Sequence, residues 1–408
     1  MRIFYAVTDV PSTGHRAPGA VSIVTYQAAA ALRDHGHDVV VQPFITDLPL
    51  SEQQQKDLQG LRGAGFDVEE PLGVHGIPPR RLGSVRDALW GSAQQFFPGV
   101  GLADEVRRRA DGADLVLHVW SPEALGACSQ ADAPVFAYYG NPDDKPIAAR
   151  LEHPELFDIP RDRLRLALAR AANVRRGRFG VELMKRCRFA GNVDEVGARY
   201  YAAAGHPNAF YIQNMWSDHG ASARPGEENR IVGSIGSLGA TGNTFGLVFL
   251  GREIVPALEG RFGDRFTVEI CGGGKPSSAV SEALEHPRIE VRGWVHDIDA
   301  TIATAKVFLI ANSNHPDFVV GHTRLLHAWS LGACVVAHTG LALAVPELVH
   351  DENALVGSTG DEIAEHIAAA LEDAALRERI AAGGRAAFER DFTPTVVAGR
   401  ILERARAM

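Results

Sequence analysis

The sequence of 408 residues has few cysteines and no long apolar run. Its four cysteines show no C-x-x-C or other metal-binding spacing, so neither a disulfide framework nor a cysteine-based metal centre is expected. No stretch reaches the roughly 18 apolar residues of a membrane-spanning helix. The amino terminus also lacks the basic and apolar regions of a secretory signal. We therefore expect a cytoplasmic protein whose thiols are reduced and buried.

Positive charge is also in short supply. The formal net charge is -9 at pH 7, which argues against a general nucleic-acid-binding protein. An apolar fraction of 46% and a charged fraction of 22% are those of an ordinary globular protein. The length is sufficient for two or three domains, each with its own core.

The amino-terminal part of the chain has the pattern of a β-α-β unit. An apolar strand at 2–7 is followed by a glycine- and proline-bearing loop at 9–19, an alanine-rich helix at 20–35 and a second strand at 38–42. This order predicts an α/β domain with a parallel sheet. Since such sheets bind ligands beyond the carboxyl ends of their strands, the loop at 9–19 is a candidate binding segment.

Polar residues follow two further predicted strands, at 114–119 and 133–139. His118 lies at the end of the first, and Asn141 and Asp143 follow the second. At the carboxyl edge of a parallel sheet these side chains are candidates for a catalytic base or for substrate binding. The alternative is that they only cap the loops.

A local surplus of basic residues occupies 161–188. Ten arginines and lysines face only Asp162 and Glu182 there. Such a segment is either a solvated helix face or a surface that binds an anionic acceptor or a membrane. The polar stretch 219–228, with its glycines and proline, predicts a linker between two domains.

A second β-α-β series begins near residue 230. A short apolar strand leads to Gly233, Gly236 and Gly239, and a helix is predicted at about 244–258. Glycines after a strand allow backbone N–H groups to approach a phosphate closely. Taken alone, the run also fits a dinucleotide-dependent oxidoreductase. Its mid-chain position and the absence of any Tyr-x-x-x-Lys pair count against that alternative.

The segment from Gly321 onward combines a helix, a stop at Gly332, a strand at 333–337 and a glycine turn. This order resembles the donor-sugar half of glycosyltransferases of the B fold (GT-B), of the type called glycosyl transferases group 1. The family pattern Gly-x-x-(Arg/Lys)-x-x-Glu-Ala-x-x-x-Gly is followed there by a strand, a glycine turn and Pro-Glu. The matching positions in this chain are Gly321, Arg324, Ala328, Gly332, Gly340, Pro346 and Glu347. The chain departs from the family at both carboxylates of the Glu-x7-Glu pair, which are Val319 and His327 here.

The resemblance implies an α/β fold of two Rossmann-like domains that face each other across a cleft. It assigns acceptor binding to 1–220, nucleotide-sugar binding to 221–392, and a closing helix at 393–408 that returns to the first domain. The implied activity is transfer of a sugar from a UDP-, GDP- or dTDP-sugar to an acceptor, with retention and without a metal. The alternatives are a nucleotide-sugar epimerase of the same fold and a catalytically degenerate nucleotide-binding module.

The resemblance also assigns roles to individual residues. Arg324 is the main candidate for the diphosphate, because a guanidinium offers two parallel donors to phosphate oxygens. Asp317 is expected to replace the missing carboxylate at the sugar hydroxyls, with His322 and His315 as alternatives, and His118 completes the predicted catalytic set. The predicted donor-binding residues are Gly236, Ser237, Gly239, Gly273, Lys275, Trp294, Val295, Gly321, His322, Thr323, Arg324, His327 and Glu347. The predicted acceptor-binding residues are Gly14, His15, Arg16, Asn141 and Asp143.

Overall fold

The computed structural model describes residues 1–12, 20–46, 48–74, 91–120, 122–312, 314–315 and 318–407. The chain divides into two compact units. Unit 1 comprises Met1–Ala148, Asp162–Met215 and Pro394–Met408, and unit 2 comprises Ala149–Arg161 and Trp216–Thr393. Each unit has its own parallel sheet, which confirms the predicted α/β class with two Rossmann-like domains. The binding roles assigned to the ranges 1–220, 221–392 and 393–408 stay predictions.

Unit 1 is built on a sheet of the order β3-β2-β1-β5-β6-β7-β8, with β4 also paired to β2. Its strands are β1 Arg2–Thr8, β2 Asp38–Ile45, β3 Asp67–Val68, β4 Leu72–Gly73, β5 Leu115–Val119, β6 Val135–Tyr139, β7 Phe189–Asn192 and β8 Ala209–Tyr211. The helices from this part of the chain are α1 Ala20–Asp34, α2 Glu52–Gly63, α3 Ala93–Phe96, α4 Ala103–Arg109, α5 Pro122–Cys128, α6 Lys145–Glu152, α7 Arg163–Met184 and α8 Glu195–Ala203. Short 3-10 helices occupy Pro98–Leu102 and Pro154–Phe157.

Unit 2 repeats the architecture with the order β11-β10-β9-β12-β13-β14. Its strands are β9 Arg230–Ile235, β10 Thr267–Cys271, β11 Ile289–Gly293, β12 Val307–Ile310, β13 Val335–His338 and β14 Leu355–Gly357. Its helices are α9 Thr241–Phe249, α10 Val255–Phe262, α11 Ser278–Ala283, α12 Ile298–Thr304, α13 His322–Leu331, α14 Thr339–Ala344, α15 Gly360–Glu372 and α16 Ala374–Asp391. A π-helical turn, Leu250–Ile254, joins α9 to α10.

Sequence pattern accounts for the central strands. All residues of β5 and β6 are buried, as expected for strands covered on both faces of a parallel sheet. Every strand pair in both sheets is parallel, so the carboxyl ends of the strands lie along one edge of each sheet. Polar groups and turns at that edge are therefore brought together in each unit.

Two segments join a unit from a distant part of the chain. The last helix, α17 Pro394–Arg406, packs on α1 of unit 1, where His35 Nε2 lies 2.9 Å from Thr395 O. The segment Ala149–Arg161 belongs to unit 2, in which Ala149 packs with Phe245 and Phe318. Within the described residues, no helix is both long enough and apolar enough to cross a membrane.

Candidate active site

Two glycine turns touch at the carboxyl ends of β9 and β10. Gly236 N donates to Cys271 O at 2.9 Å, and Leu238 N donates to Gly273 O at the same distance. A Cβ added to Gly272 would lie 1.7 Å from Gly236 O. The two turns therefore pack backbone against backbone, with no room for a side chain at residue 272.

The turn after β11 continues this row. Gly272 N donates to Gly293 O at 2.7 Å, so the turns after three neighbouring strands are linked by hydrogen bonds. Beyond Gly293, the side chain of Trp294 is 78% exposed and that of Val295 is partly buried. Lys275, in the β10 turn, is exposed. The turns that carry the predicted donor residues Gly236, Gly273 and Trp294 are thus neighbours on one sheet edge.

The amino terminus of α9 follows the first glycine turn. No side chain caps it, because the cap position is Ala240. A Cβ on Gly239 would lie 2.8 Å from Lys275 O, so glycine is required for this close approach. Within the described residues, the N–H groups of Ser237 and Gly239 meet no acceptor, whereas that of Gly236 is already bonded to Cys271. Two backbone donors therefore remain for an anion at this helix start.

Arg324, one turn into α13, points to the same place. Its Nη2 donates to Asn243 Oδ1 at 2.5 Å, and it would lie 3.4 Å from a Cβ on Gly236. No carboxylate of the described residues lies within 4 Å of the guanidinium. Burial lowers the pKa of Arg324 to about 10, which leaves it cationic at neutral pH. A partly buried cation without a carboxylate partner is the arrangement expected of an anion-binding site.

Asn243 was not predicted from the sequence. Its Oδ1 accepts from Arg324, and its Nδ2 donates to Ser237 O at 2.5 Å. The amide therefore fixes the guanidinium relative to the glycine turn. In the sequence Asn243 is marked only as a polar residue that follows a glycine run. The structure shows that it is buried in the first turn of α9.

The start of α13 supplies further polar groups. Gly321 occupies the N-cap with φ 109°, and a Cβ there would lie 3.0 Å from Asn312 Oδ1. His322 is buried, and burial lowers its pKa to about 4, so its imidazole is neutral at pH 7. His322 Nε2 and Asn312 Oδ1 have no hydrogen-bond partner within the described residues. Thr323 beside them is partly buried.

His327 has other partners than Arg324. Its Nε2 lies 2.6 Å from Asp299 Oδ1, and His219 Nδ1 lies 2.7 Å from Asp299 Oδ2. The hydrogen bonds from His219 and His327 hold the pKa of the Asp299 carboxyl well below its usual range. The role predicted for His327 at the nucleotide stays a prediction. Its contacts with His219 and Asp299 were not predicted from the sequence, because these residues lie 108 and 28 positions away along the chain.

Glu347 completes the predicted donor residues. It is partly buried, and its carbonyl accepts from Asn353 Nδ2 at 2.8 Å. Four other predicted residues, Gly14, His15, Arg16 and Asp317, lie outside the described residues.

The sheet edge of unit 1 carries acidic side chains instead of glycine turns. Thr8 Oγ1 donates to Glu123 Oε2 at 2.9 Å, and Tyr139 OH donates to Asp143 Oδ2 at 2.7 Å. The ring of His118 stacks on Tyr139 with centroids 5.4 Å apart. Burial raises the pKa of Asp143 to about 7. We call Glu123, Asp143 and the adjacent Asp144 the acidic strand-end cluster.

The structure describes three of the residues predicted in unit 1. Two of them, His118 and Asp143, contact Tyr139. Asn141 is partly buried in the loop before Asp143. Glu123 was missed, because its position at the start of α5 gives no local pattern that differs from an ordinary first-turn acid.

The basic segment 161–188 forms most of α7. Arg163, Arg170, Val174 and Arg178 lie on one helix face at spacings of seven, four and four, and all four are exposed. Arg175, in contrast, points inward and donates to Gly91 O at 2.8 Å. Only part of the basic surplus is therefore available to a partner.

Several solved structures are similar along the whole chain. HepE from Anabaena, in complex with UDP and glucose, is 17% identical with a TM-score of 0.62, and the match covers 100% of both chains. Sucrose-phosphate synthase from Thermosynechococcus elongatus is 13% identical with a TM-score of 0.65, covering 100% of this chain and 99% of that one. An α,α-trehalose-phosphate synthase (UDP-forming) from Burkholderia vietnamiensis is 12% identical with a TM-score of 0.62, covering 100% of both chains.

These likenesses define the fold as that of the GT-B glycosyltransferases. Residues 229–373, which make up most of unit 2, match the family model described as Glycosyl transferases group 1. Unit 2 therefore contains the domain of this family, and the chain is a glycosyltransferase that uses a nucleotide sugar. The predicted family, fold class and enzyme class are thereby confirmed. No curated protein matches the chain.

Proposed function

We propose that the enzyme transfers a sugar from a UDP-sugar to a hydroxyl group of an acceptor, with retention and without a metal ion. The observation that carries the proposal is the guanidinium of Arg324, held by Asn243 beside the glycine turn and without a carboxylate partner within the described residues. The choice of UDP is supported by HepE, whose structures contain UDP or UDP-glucose, and by the UDP-forming trehalose-phosphate synthase.

Cleavage of the bond between sugar and diphosphate places positive charge on the sugar and negative charge on the departing phosphate. In the proposed reaction, Arg324 and the N–H groups of Ser237 and Gly239 take up that negative charge. Asn243 acts as a positioning residue, because its amide orients the guanidinium. The cationic charge comes from the protein itself, so the proposal requires no metal at the diphosphate.

The first turn of α13 is assigned to the same ligand. The unpartnered Nε2 of neutral His322 has one hydrogen-bonding role left, and Asn312 Oδ1 is an acceptor of the kind that binds a sugar hydroxyl. On unit 1, the acidic strand-end cluster is assigned to the acceptor, because carboxylates accept hydrogen bonds from hydroxyl groups.

Incubation with UDP-, GDP- and dTDP-sugars tests the reaction class. A transferase releases the nucleoside diphosphate, which a coupled assay measures, and omission of Mg²⁺ and Mn²⁺ leaves the rate unchanged. An epimerase converts the sugar without release, and a degenerate binding module gives thermal stabilisation alone. NMR of the anomeric proton in the product decides between retention and inversion. A net inversion or a requirement for added Mg²⁺ or Mn²⁺ would contradict those two parts of the proposal.

The Arg324→Ala variant tests whether the guanidinium of Arg324 binds the diphosphate. Loss of a charged hydrogen bond costs about 1 to 3 kcal/mol, so the Kd for UDP is expected to rise about 5- to 150-fold. Arg324→Lys keeps the charge but not the two parallel donors, and an intermediate loss is expected. Arg261→Ala is the matched control, since Arg261 contributes only a surface ion pair with Glu365. Equal affinities for Arg324→Ala and the control, with unchanged thermal stability, would remove Arg324 from the site.

A further inference from the structure

Two histidines and one aspartate of unit 2 converge from three separate parts of the chain. His219 lies in the segment that enters unit 2, Asp299 lies in the first turn of α12, and His327 lies in the middle of α13. One ligand atom from each residue lies within 4.8 Å of those of the other two. We call these three residues the His-Asp-His cluster.

Both imidazoles face the same carboxylate. His219 Nδ1 is 2.7 Å from one oxygen of Asp299, and His327 Nε2 is 2.6 Å from the other. The ring centroids of the two histidines are 4.9 Å apart. Side-chain exposure is 8% for His327, 17% for His219 and 40% for Asp299, so the carboxylate is open to solvent while the imidazoles are largely enclosed.

Trp216 fixes the orientation of both rings. Its indole lies nearly parallel to His219, at 11° and 6.1 Å, and contacts His327 at 5.4 Å. Trp216 is itself buried, and its Nε1–H has no acceptor within the described residues. A buried donor without an acceptor beside a polar cluster marks a place where a ligand or its bound water completes the hydrogen bonding.

We propose that the His-Asp-His cluster binds a divalent transition-metal ion of the Zn²⁺ type through one nitrogen of each imidazole and the carboxylate of Asp299. Imidazole and carboxylate are the donors that such ions prefer, and three protein ligands leave a coordination position for water. At metal-ligand distances of about 2.0 to 2.1 Å, tetrahedral ligand atoms are separated by roughly 3.3 Å. The two nitrogen–oxygen separations, now 2.7 and 2.6 Å, therefore have to widen by roughly 0.6 to 0.7 Å, while the two nitrogens already lie within 4.8 Å of each other.

Proton balance permits this exchange. In the ion-free cluster the ring nitrogen of each histidine that faces the Asp299 carboxylate donates its N–H. When the ion binds, that nitrogen supplies its lone pair instead: a neutral ring moves the proton to its other nitrogen, and a protonated ring releases one proton to solvent. The ion then replaces the two hydrogen bonds with three coordinate bonds and ties the chain around residue 219 to α12 and α13.

This inference stands apart from the proposed transfer reaction. The cluster shares no hydrogen bond with Arg324 or Asn243, and its ion is assigned a stabilising role in unit 2. No sequence motif reveals the site, because its ligands have no local spacing.

Calorimetric titration of the chelator-treated, full-length chain with ZnCl₂ tests the proposal, together with thermal unfolding with and without the ion. We expect one high-affinity ion per chain and a raised Tm. His219→Ala, Asp299→Asn and His327→Ala are each expected to weaken binding at least about tenfold to a hundredfold. His350→Ala is the first control, because His350 and His366 form a surface pair with ring centroids 5.1 Å apart. His153→Ala is the second, since Glu152, His153 and His315 form the other cluster of potential ligands among the described residues.

A readout on the unmodified protein covers variants that fail to fold. Nitrogen-15 NMR of the histidine side chains should show two ring nitrogens losing their N–H as Zn²⁺ is added, and Co²⁺ should give the visible absorption of a low-coordinate site. The proposal is overturned if the unmodified chain binds no stoichiometric ion. It is equally overturned if His327→Ala and Asp299→Asn fold and retain full affinity, or if only His153→Ala loses it.

Discussion

The two sheets of this enzyme have the same parallel architecture but opposite chemistry at their carboxyl edges. In unit 1 the edge carries carboxyl groups that already accept hydrogen bonds, from Thr8 to Glu123 and from Tyr139 to Asp143. In unit 2 the edge is made of backbone turns and one guanidinium, Arg324. In the proposed function each sheet edge binds a ligand, and the side chains decide whether that edge suits hydroxyl groups or an anion.

The difference extends to how each edge tolerates substitution. The turns of unit 2 are in backbone contact, so an added methyl group changes their geometry. The acidic strand-end cluster of unit 1 is formed by side chains, so substitution there changes charge and protonation more than backbone shape. Four experiments follow from this contrast.

The largest effect is expected from Gly272→Ala. The new Cβ would lie 1.7 Å from Gly236 O, so the β9 and β10 turns would have to separate, at a cost of about 3 to 5 kcal/mol of unfolding free energy. Gly273→Ala is the matched control, because its Cβ would meet nothing within 4 Å, and a change below about 1 kcal/mol is expected. Urea unfolding of the two variants measures both. Equal stability of the pair would show that the turns are not in rigid contact.

The exposed basic face of α7 contrasts with the acidic sheet edge of unit 1. Vesicle binding tests whether this face binds an anionic surface. Replacing Arg163, Arg170 and Arg178 together by alanine removes three charges worth about 1 kcal/mol each at an anionic membrane surface. The partition coefficient onto vesicles that contain anionic lipid, measured by co-sedimentation, should therefore fall about a hundredfold, which corresponds to roughly 3 kcal/mol. Alanine at Arg108, which is paired to Glu105, is the control. Absence of vesicle binding by the unmodified protein would make this face a solvated one.

Asn243→Asp would give Arg324 the carboxylate partner that it lacks among the described residues. The new charge would neutralise the guanidinium and repel the diphosphate, so we expect the Kd for UDP to rise about 10- to 100-fold, or about 1.4 to 2.7 kcal/mol. Asn243→Ala removes the orienting amide without adding charge, and a smaller loss is expected. Calorimetry with UDP compares the variants. Undiminished binding by Asn243→Asp would contradict the assignment of Arg324 to the phosphate.

The smallest effect concerns protonation in unit 1. Burial raises the pKa of Asp143 to about 7, against the influence of Tyr139 and Arg176, while Glu123 and Asp144 reinforce it. The folded state therefore binds the proton more tightly than the unfolded state. Stability from this group is greatest below pH 4 and declines as the pH rises towards 7, by on the order of 1 to 2 kcal/mol.

Asp143→Asn checks this sign. Between pH 5 and pH 8 the unmodified protein should lose more thermal stability than the variant, because asparagine has no proton to release. Asp132→Asn serves as the control, since Asp132 is exposed. Parallel stability profiles for Asp143→Asn and the unmodified protein would show that the carboxyl is ionised throughout.

Much of the fold follows from local pattern. The strands β1, β2, β5 and β6 lie where apolar runs predicted them, and the glycine turns fall at the predicted strand ends. The predicted helix at 244–258 was less accurate, since it starts at Thr241 and is divided by the turn Leu250–Ile254. Helix boundaries depend on caps and packing that periodicity does not reveal.

The site was predictable only in part. Arg324 and the glycine turns lie together as the resemblance implied, because both belong to a short continuous motif. The resemblance assigned Gly236, Ser237 and Gly239 to the donor, but the N–H of Gly236 is used by the neighbouring turn. Pairs such as Asn243 with Arg324 depend on tertiary contacts between helices, and one sequence carries no record of them.

The segment Ala149–Arg161 affects how the enzyme can be divided into separate domains. These thirteen residues precede the rest of unit 2 by more than fifty positions. Even so, Ala149 packs against Phe245 and Phe318, and Asp158 Oδ2 accepts from Ser278 N at 3.0 Å. A gene fragment that begins at Trp216 would leave two phenylalanines exposed and the backbone of α11 without its partner. Domain exchange with relatives should therefore transfer the peptide Ala149–Arg161 together with the rest of unit 2.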